Sequence, residues 1–215
     1  MCANPVDDSS EVHVTVDEGA SVGGVLRSTE GMSERVHPRE QIRSACAAHG
    51  EDAVVDWCVD LITGEVSPAA AYEPDLLPKL KWISGPLAGG WGRLDPVNYY
   101  WVRVWAARAF LYVWRDDVVD ALFVAADDPA WRVREHVARI VAQREPGQLV
   151  DPLLPLLDHT LPRVRAAGVR AVGAAGEFEH VEAVERLRDD PDPAVRVAVE
   201  QALDRLAKRL DRQLP

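Results

Sequence analysis

The sequence predicts an all-α protein: a short α-solenoid of four stacked helix pairs preceded by a helical hairpin. Three observations carry that prediction. The dipeptide Val-Arg occurs at 102–103, 133–134, 164–165 and 195–196, three consecutive intervals of 31 residues. Aspartates ahead of it keep the interval, at Asp127, Asp158 and Asp189, with Asp95 one place out of step in the first unit. Five residues after each arginine comes a column reading Arg108, Arg139, Arg170 and Gln201, followed by Ala109, Ile140, Ala171 and Ala202. A unit of 31 residues has room for two helices but too little surface to enclose a core of its own, so such units stack.

Each element follows in order. Residues 1–36 are rich in Ser, Gly, Asp and Glu, lack aromatics and show no helical period, and they read as a disordered acidic leader. Only the alternating stretch from Val12 to Val16 has the period of a strand. Residues 37–64 read as a helical hairpin that caps the stack. Pro38 suits a first helical turn, Ile42, Ala45 and Cys46 share a face, and Gly50 is a stop. Its second helix carries Val54, Trp57, Cys58 and Leu61 at i, i+3, i+4 and i+7 and ends at Gly64. Residues 65–93 form a Pro/Gly-rich connection with one short helix expected from Asp75 to Ile83.

The four repeats are expected at about 94–124, 125–155, 156–186 and 187–215. In the first, Val102, Trp105, Ala106, Ala109, Phe110 and Val113 make one apolar stripe. In the last, Asp192 and Pro193 supply an N-cap and a first-turn proline, ahead of a stripe of Val195, Val199, Ala202, Leu203 and Leu206. The second helices are shorter, marked by Val118, Leu122 and Ala125, and by Val181, Val184 and Leu187. Pro152 and Pro155 predict a late start or a kink in the one between them.

The repeat region resembles the short HEAT-like repeats of the phycobilisome-lyase type, widespread in bacteria. The residues that carry the resemblance run from Asp127 to Arg134, Leu161 to Ala167 and Asp189 to Arg196: an aspartate-rich turn, Val-Arg, then small apolar residues. The resemblance implies the solenoid fold over a little more than half of the chain. Members range from scaffolds to enzymes, so it does not by itself imply an activity.

Charge narrows the function classes. The 215 residues carry 24 Lys+Arg against 35 Asp+Glu, a net charge of −11. All of it belongs to the first 75 residues, with 15 acidic and 4 basic side chains; the remaining 140 hold 20 of each sign. No apolar run approaches the roughly 20 residues of a membrane span. The N-terminus has neither the basic start nor the apolar stretch of a secretory signal. Cys2, Cys46 and Cys58 form no C-x-x-C, so a reduced, cytoplasmic setting is expected. Arg205, Lys208, Arg209, Asp211 and Arg212 make the last helix polar enough to face water, in keeping with a monomer.

Two groups are candidates for binding. Arg103, Arg134, Arg165 and Arg196 form a column on successive first helices. It reads either as a structural ladder, each guanidinium tied to an aspartate of a neighbouring turn, or as a stripe for phosphates or an acidic partner. Trp101, Trp105 and Trp131 approach one another across the first repeat interface, either as packing or as an aromatic contact surface. The stretch from Tyr99 to Trp114, with Asp116 and Asp117, is faintly similar to HEAT-like alkylpurine DNA glycosylases. That similarity implies nucleic-acid binding as an alternative, but the near-neutral repeats lack the positive groove such enzymes need. A bilin-lyase-like activity is a remote alternative, suggested by the repeat similarity alone.

No catalytic constellation is recognisable. Cys46 and His49 have no second pair at ligand spacing, and the glycine-rich run from Ser84 to Arg93 lacks the Gly-Lys-Ser/Thr ending of a phosphate loop. The sequence therefore points to a non-enzymatic interaction module or scaffold with an unknown protein partner, no metal, no cofactor and no catalytic residue. The concave face of the solenoid is its expected contact surface.

Overall fold

A computed structural model describes residues 36–67, 80–84 and 96–211. Nearly all of the expected leader, its Val12–Val16 strand and most of the 65–93 connection lie outside the described residues. Among the described residues every regular element is helical, and the architecture is a short helical solenoid.

The hairpin forms from α1 (Pro38–His49) and α2 (Glu51–Thr63). His37 caps α1 through Nδ1, which accepts from the Arg39 N–H at 3.1 Å. Gly50 and Gly64 end the two helices at φ 89° and 86°, a region open to glycine and costly for side chains with a Cβ. Val54, Trp57, Cys58 and Leu61 are buried, and α2 packs on α4 (Tyr100–Ala109) and α5 (Val118–Ala126). A single turn, α3 (Lys81–Ser84), lies against α1 and α4. Arg115 ties the hairpin to the repeats, with Nη1 3.2 Å from Asp52 and further bonds to Asp56 and Asp117.

The stack is built on four long helices in the 31-residue register: α4, α6 (Trp131–Arg144), α8 (Pro162–Ala175) and α10 (Pro193–Leu210). Each packs side by side with the next. Shorter elements cover one side of this row. They are α5, then a broken run of 3-10 turn, α7 (Val150–Leu153) and 3-10 turn through Asp158, then α9 (Val181–Glu185) behind its own 3-10 turn. The break falls where Pro152 and Pro155 remove backbone donors. Among the described residues the fourth unit contributes its long helix, which ends at Asp211, at φ 49°. Asp192 caps that helix by accepting from the Ala194 N–H at 2.8 Å, with Pro193 in the first turn.

Helical spacing divides α8 into two faces. Val164, Gly168 and Ala171 turn inward, where Gly168 lies against Leu156 and Leu157 of the short layer. Arg163, Ala166, Ala167 and Arg170 turn the other way, onto the side the short elements leave uncovered. Between neighbours the helices come very close: a Cβ on Gly173 would meet the Ala202 Cα at 2.6 Å.

Candidate functional site

The repeated arginines divide into two columns with different surroundings. In the Val-Arg column, Arg103 forks onto Asp128 of the next repeat's turn, its Nη2 donating to Oδ1 at 3.2 Å. Arg165 does the same 25 residues on, donating from Nε and Nη2 to the two oxygens of Asp190 at 2.8 Å each. The side chains of Arg165 and Asp190 are 12% and 3% exposed, so this is a buried charge pair. The Arg165 guanidinium holds the Asp190 carboxyl below the usual carboxylate range, and Asp190 in turn raises Arg165. Arg165 and Arg196 also staple their own turns, Nη1 donating to the carbonyls of His159 and Thr160 and of Asp190 and Pro191 respectively.

The expected aspartate partners are displaced by one residue. The column that keeps the period most visibly, Asp127, Asp158 and Asp189, is exposed. The residues that pair with the Val-Arg arginines are their successors, Asp128 and Asp190, each of which also accepts a backbone N–H two residues ahead, from Ala130 at 2.8 Å and Asp192 at 2.9 Å. At the middle rung the successor is His159. Its Nδ1 reproduces the backbone bond, accepting from Leu161 N–H at 3.0 Å, but imidazole offers no carboxylate to Arg134. The Arg134 Nε is buried there without a hydrogen-bond partner. Partial burial and the nearby Arg134 and Arg165 charges push His159 below the ordinary histidine range.

The second column faces the uncovered side. Arg108 is half-buried and donates to the Ile83 and Ser84 carbonyls, and burial lowers its basicity. Arg139 and Arg170 are exposed and make no ion pair or hydrogen bond among the described residues. They border a cleft of about 560 Å³ across α6, α8 and the start of α10. Arg163 and Glu135 complete its polar lining, and Ala142, Ala166, Ala167 and Ala194 supply the apolar part. Arg163 holds Glu135 in a fork, Nη2 lying 2.9 and 2.8 Å from the two carboxylate oxygens. This column was visible as a 31-residue register; its orientation was not, because that depends on which stripe the short helices cover.

Two of the three tryptophans stack, Trp101 on Trp105 with ring centroids 6.2 Å apart, while Trp131 makes no ring contact with either among the described residues. Trp105 is 5% exposed and packs in the core, where it presents little surface to a partner. Trp101 and Trp131 are half-buried at the end of the cleft row and are joined by a cation rather than by ring contact. The Arg132 guanidinium lies 4.3 Å from the Trp131 centroid, 5.4 Å from Trp101 and 5.9 Å from Tyr100. The Arg163 guanidinium also lies over Trp131, 5.2 Å from its centroid.

Beneath this face His136 is buried, and Nδ1–H donates to the Arg132 carbonyl at 2.8 Å; burial pushes its pKa down. Cys46 is half-buried and Cys58 fully buried, and burial raises both thiols. Among the described residues no group of three or more His, Cys, Asp or Glu is placed to hold a metal ion. No described helix is long and apolar enough to cross a membrane.

Residues 119–204 match the family model of HEAT repeats. The match runs from α5 into α10 and shows a HEAT-like repeat region there. It leaves out α4, the helix whose aromatic sequence departs most from the repeat pattern. No curated protein matches the chain.

Proposed function

We propose that the chain is a non-enzymatic protein-interaction module that docks its partner on the uncovered side of the long-helix row. One observation carries the reading: Arg139 and Arg170 stand one repeat apart, exposed and unpaired, on either side of an alanine-lined cleft. Exposed guanidiniums without carboxylate partners keep their full capacity to recognise a partner's charge. HEAT-like repeats commonly serve protein interaction, because stacking leaves a long helix face free. Trp101, Trp131 and Arg132 extend the surface at one end as a rigid aromatic shelf. In the Val-Arg column, Arg103 and Arg165 are committed to internal pairs, and their part is to hold the helices that display the cleft.

Affinity capture from the native cell tests the reading, with the full chain and the Arg139→Glu/Arg170→Glu variant as baits. The expected result is a partner retained by the wild type and by Arg186→Ala on the opposite layer, but lost from the double variant. A partner set unchanged by the double variant overturns it.

A further inference from the structure

We infer that the cleft takes an acidic segment of the partner in extended form, with two carboxylates about three residues apart. This rests on the interaction reading above and adds the chemistry of the partner. The lining carries three guanidiniums, Arg139, Arg163 and Arg170, against one carboxylate, Glu135. Arg163 and Glu135 already form within the chain the kind of contact proposed for the partner: a carboxylate forked by a guanidinium at this same surface.

Spacing sets the form of the segment. Arg139 and Arg170 occupy equivalent positions on adjacent helices, whose axes in packed pairs stand about 8–10 Å apart. A polyproline II-type extended chain rises about 3.1 Å per residue and returns to the same face every third residue, so acidic residues at i and i+3 span that separation from one side. The two residues between them pass over the cleft floor, where Ala166 and Ala167 are buried between the helices and raise no larger side chain against a peptide backbone. Val197, 49% exposed on α10, extends the apolar strip beyond Ala194. A nucleic-acid backbone fits less well. Its affinity comes from neutralising many phosphates, typically six to ten for strong binding, and this cleft has only two unpaired guanidiniums.

The test is fluorescence anisotropy of the full chain with a labelled peptide built on the unit Asp-Leu-Ala-Asp and its Asn-Leu-Ala-Asn counterpart. A single-stranded oligonucleotide of equal charge runs alongside, all at low salt. The acidic peptide is expected to bind saturably and the amide peptide not. Arg139→Ala/Arg170→Ala should weaken binding about tenfold, the sum of two exposed charge pairs. Glu135→Gln, which releases Arg163, should tighten it about two- to fivefold by the same rule. Melting curves of each variant verify that the fold is retained. No saturable binding, equal binding of the two peptides, or tighter binding of the oligonucleotide overturns the proposal. If cellular capture still depends on Arg139 and Arg170 in that case, the interaction reading stands and only the acidic chemistry falls.

Discussion

Arg134 and His159 are the residues at which the repeat breaks its own rule. On the rungs to either side a carboxylate takes the guanidinium of the previous repeat and a backbone N–H of its own turn together. His159 performs only the second task, and Nδ1 must be unprotonated to do it. Protonation would break that bond and add a cation facing Arg134 and Arg165. Partial burial first, and with it the Arg134 and Arg165 charges, hold the folded pKa below the ordinary histidine value of 6.5. The unfolded chain then binds the proton more readily, so stability is full above pH 6.5 and falls as pH drops through it. Replacing His159 with Asp supplies the missing carboxylate and removes this titration. The variant is expected to gain about 1 kcal/mol, seen as a melting point raised by a few degrees at pH 7. Its loss of stability between pH 6.5 and 5 should also be shallower, the remainder coming from buried His136, whose depressed pKa acts in the same direction. A melting point lowered at pH 7 would contradict the assignment.

At the scale of elements, the stack depends on how closely the long helices approach. Gly173 marks a close approach between α8 and α10, where a methyl group would meet the Cα and Cβ of Ala202 at 2.6 and 2.5 Å. Both contacts are near backbone, so the helices themselves must separate to accommodate it. Gly173→Ala is expected to cost about 1–3 kcal/mol in denaturant titration, despite the higher helix propensity of alanine. A stabilised variant would mean that the helices stand further apart. Gly173 shows a limit of the sequence reading, which could assign it to a helix but not to a contact with another one. Start and stop signals, by contrast, were local and legible: Pro38, Gly50, Gly64 and the Asp192-Pro193 pair act where they stand. The broken segment around Pro152 and Pro155 was legible for the same reason, since proline acts on its own turn.

The whole molecule is organised by one register used for two purposes. The 31-residue period was enough to read the solenoid, because a repeated apolar stripe can be buried only by stacking. It did not separate the arginine columns, which are equally periodic in sequence and differ only in which side of the helix faces a turn. Nor could it show that Asp128 and Asp190 pair while the more regular Asp127 and Asp189 do not, a matter of one residue in turn geometry. The balanced charge of the repeats likewise concealed an uneven distribution: carboxylates cluster in the turns, while Arg139 and Arg170 stand apart from them on the uncovered face.

The central claim is this division between a column that holds the repeats together and a column that is free for a partner. Thermal melting of Arg165→Ala beside Arg139→Ala/Arg170→Ala tests it most directly. Removing Arg165 leaves Asp190 charged and buried, a loss of about 3 kcal/mol that lowers the midpoint by on the order of 10 °C. The double variant should melt within about 2 °C of the wild type, as expected for exposed side chains with no partners to lose. A double variant that melts as low as Arg165→Ala, or an Arg165→Ala that melts with the wild type, would contradict the account.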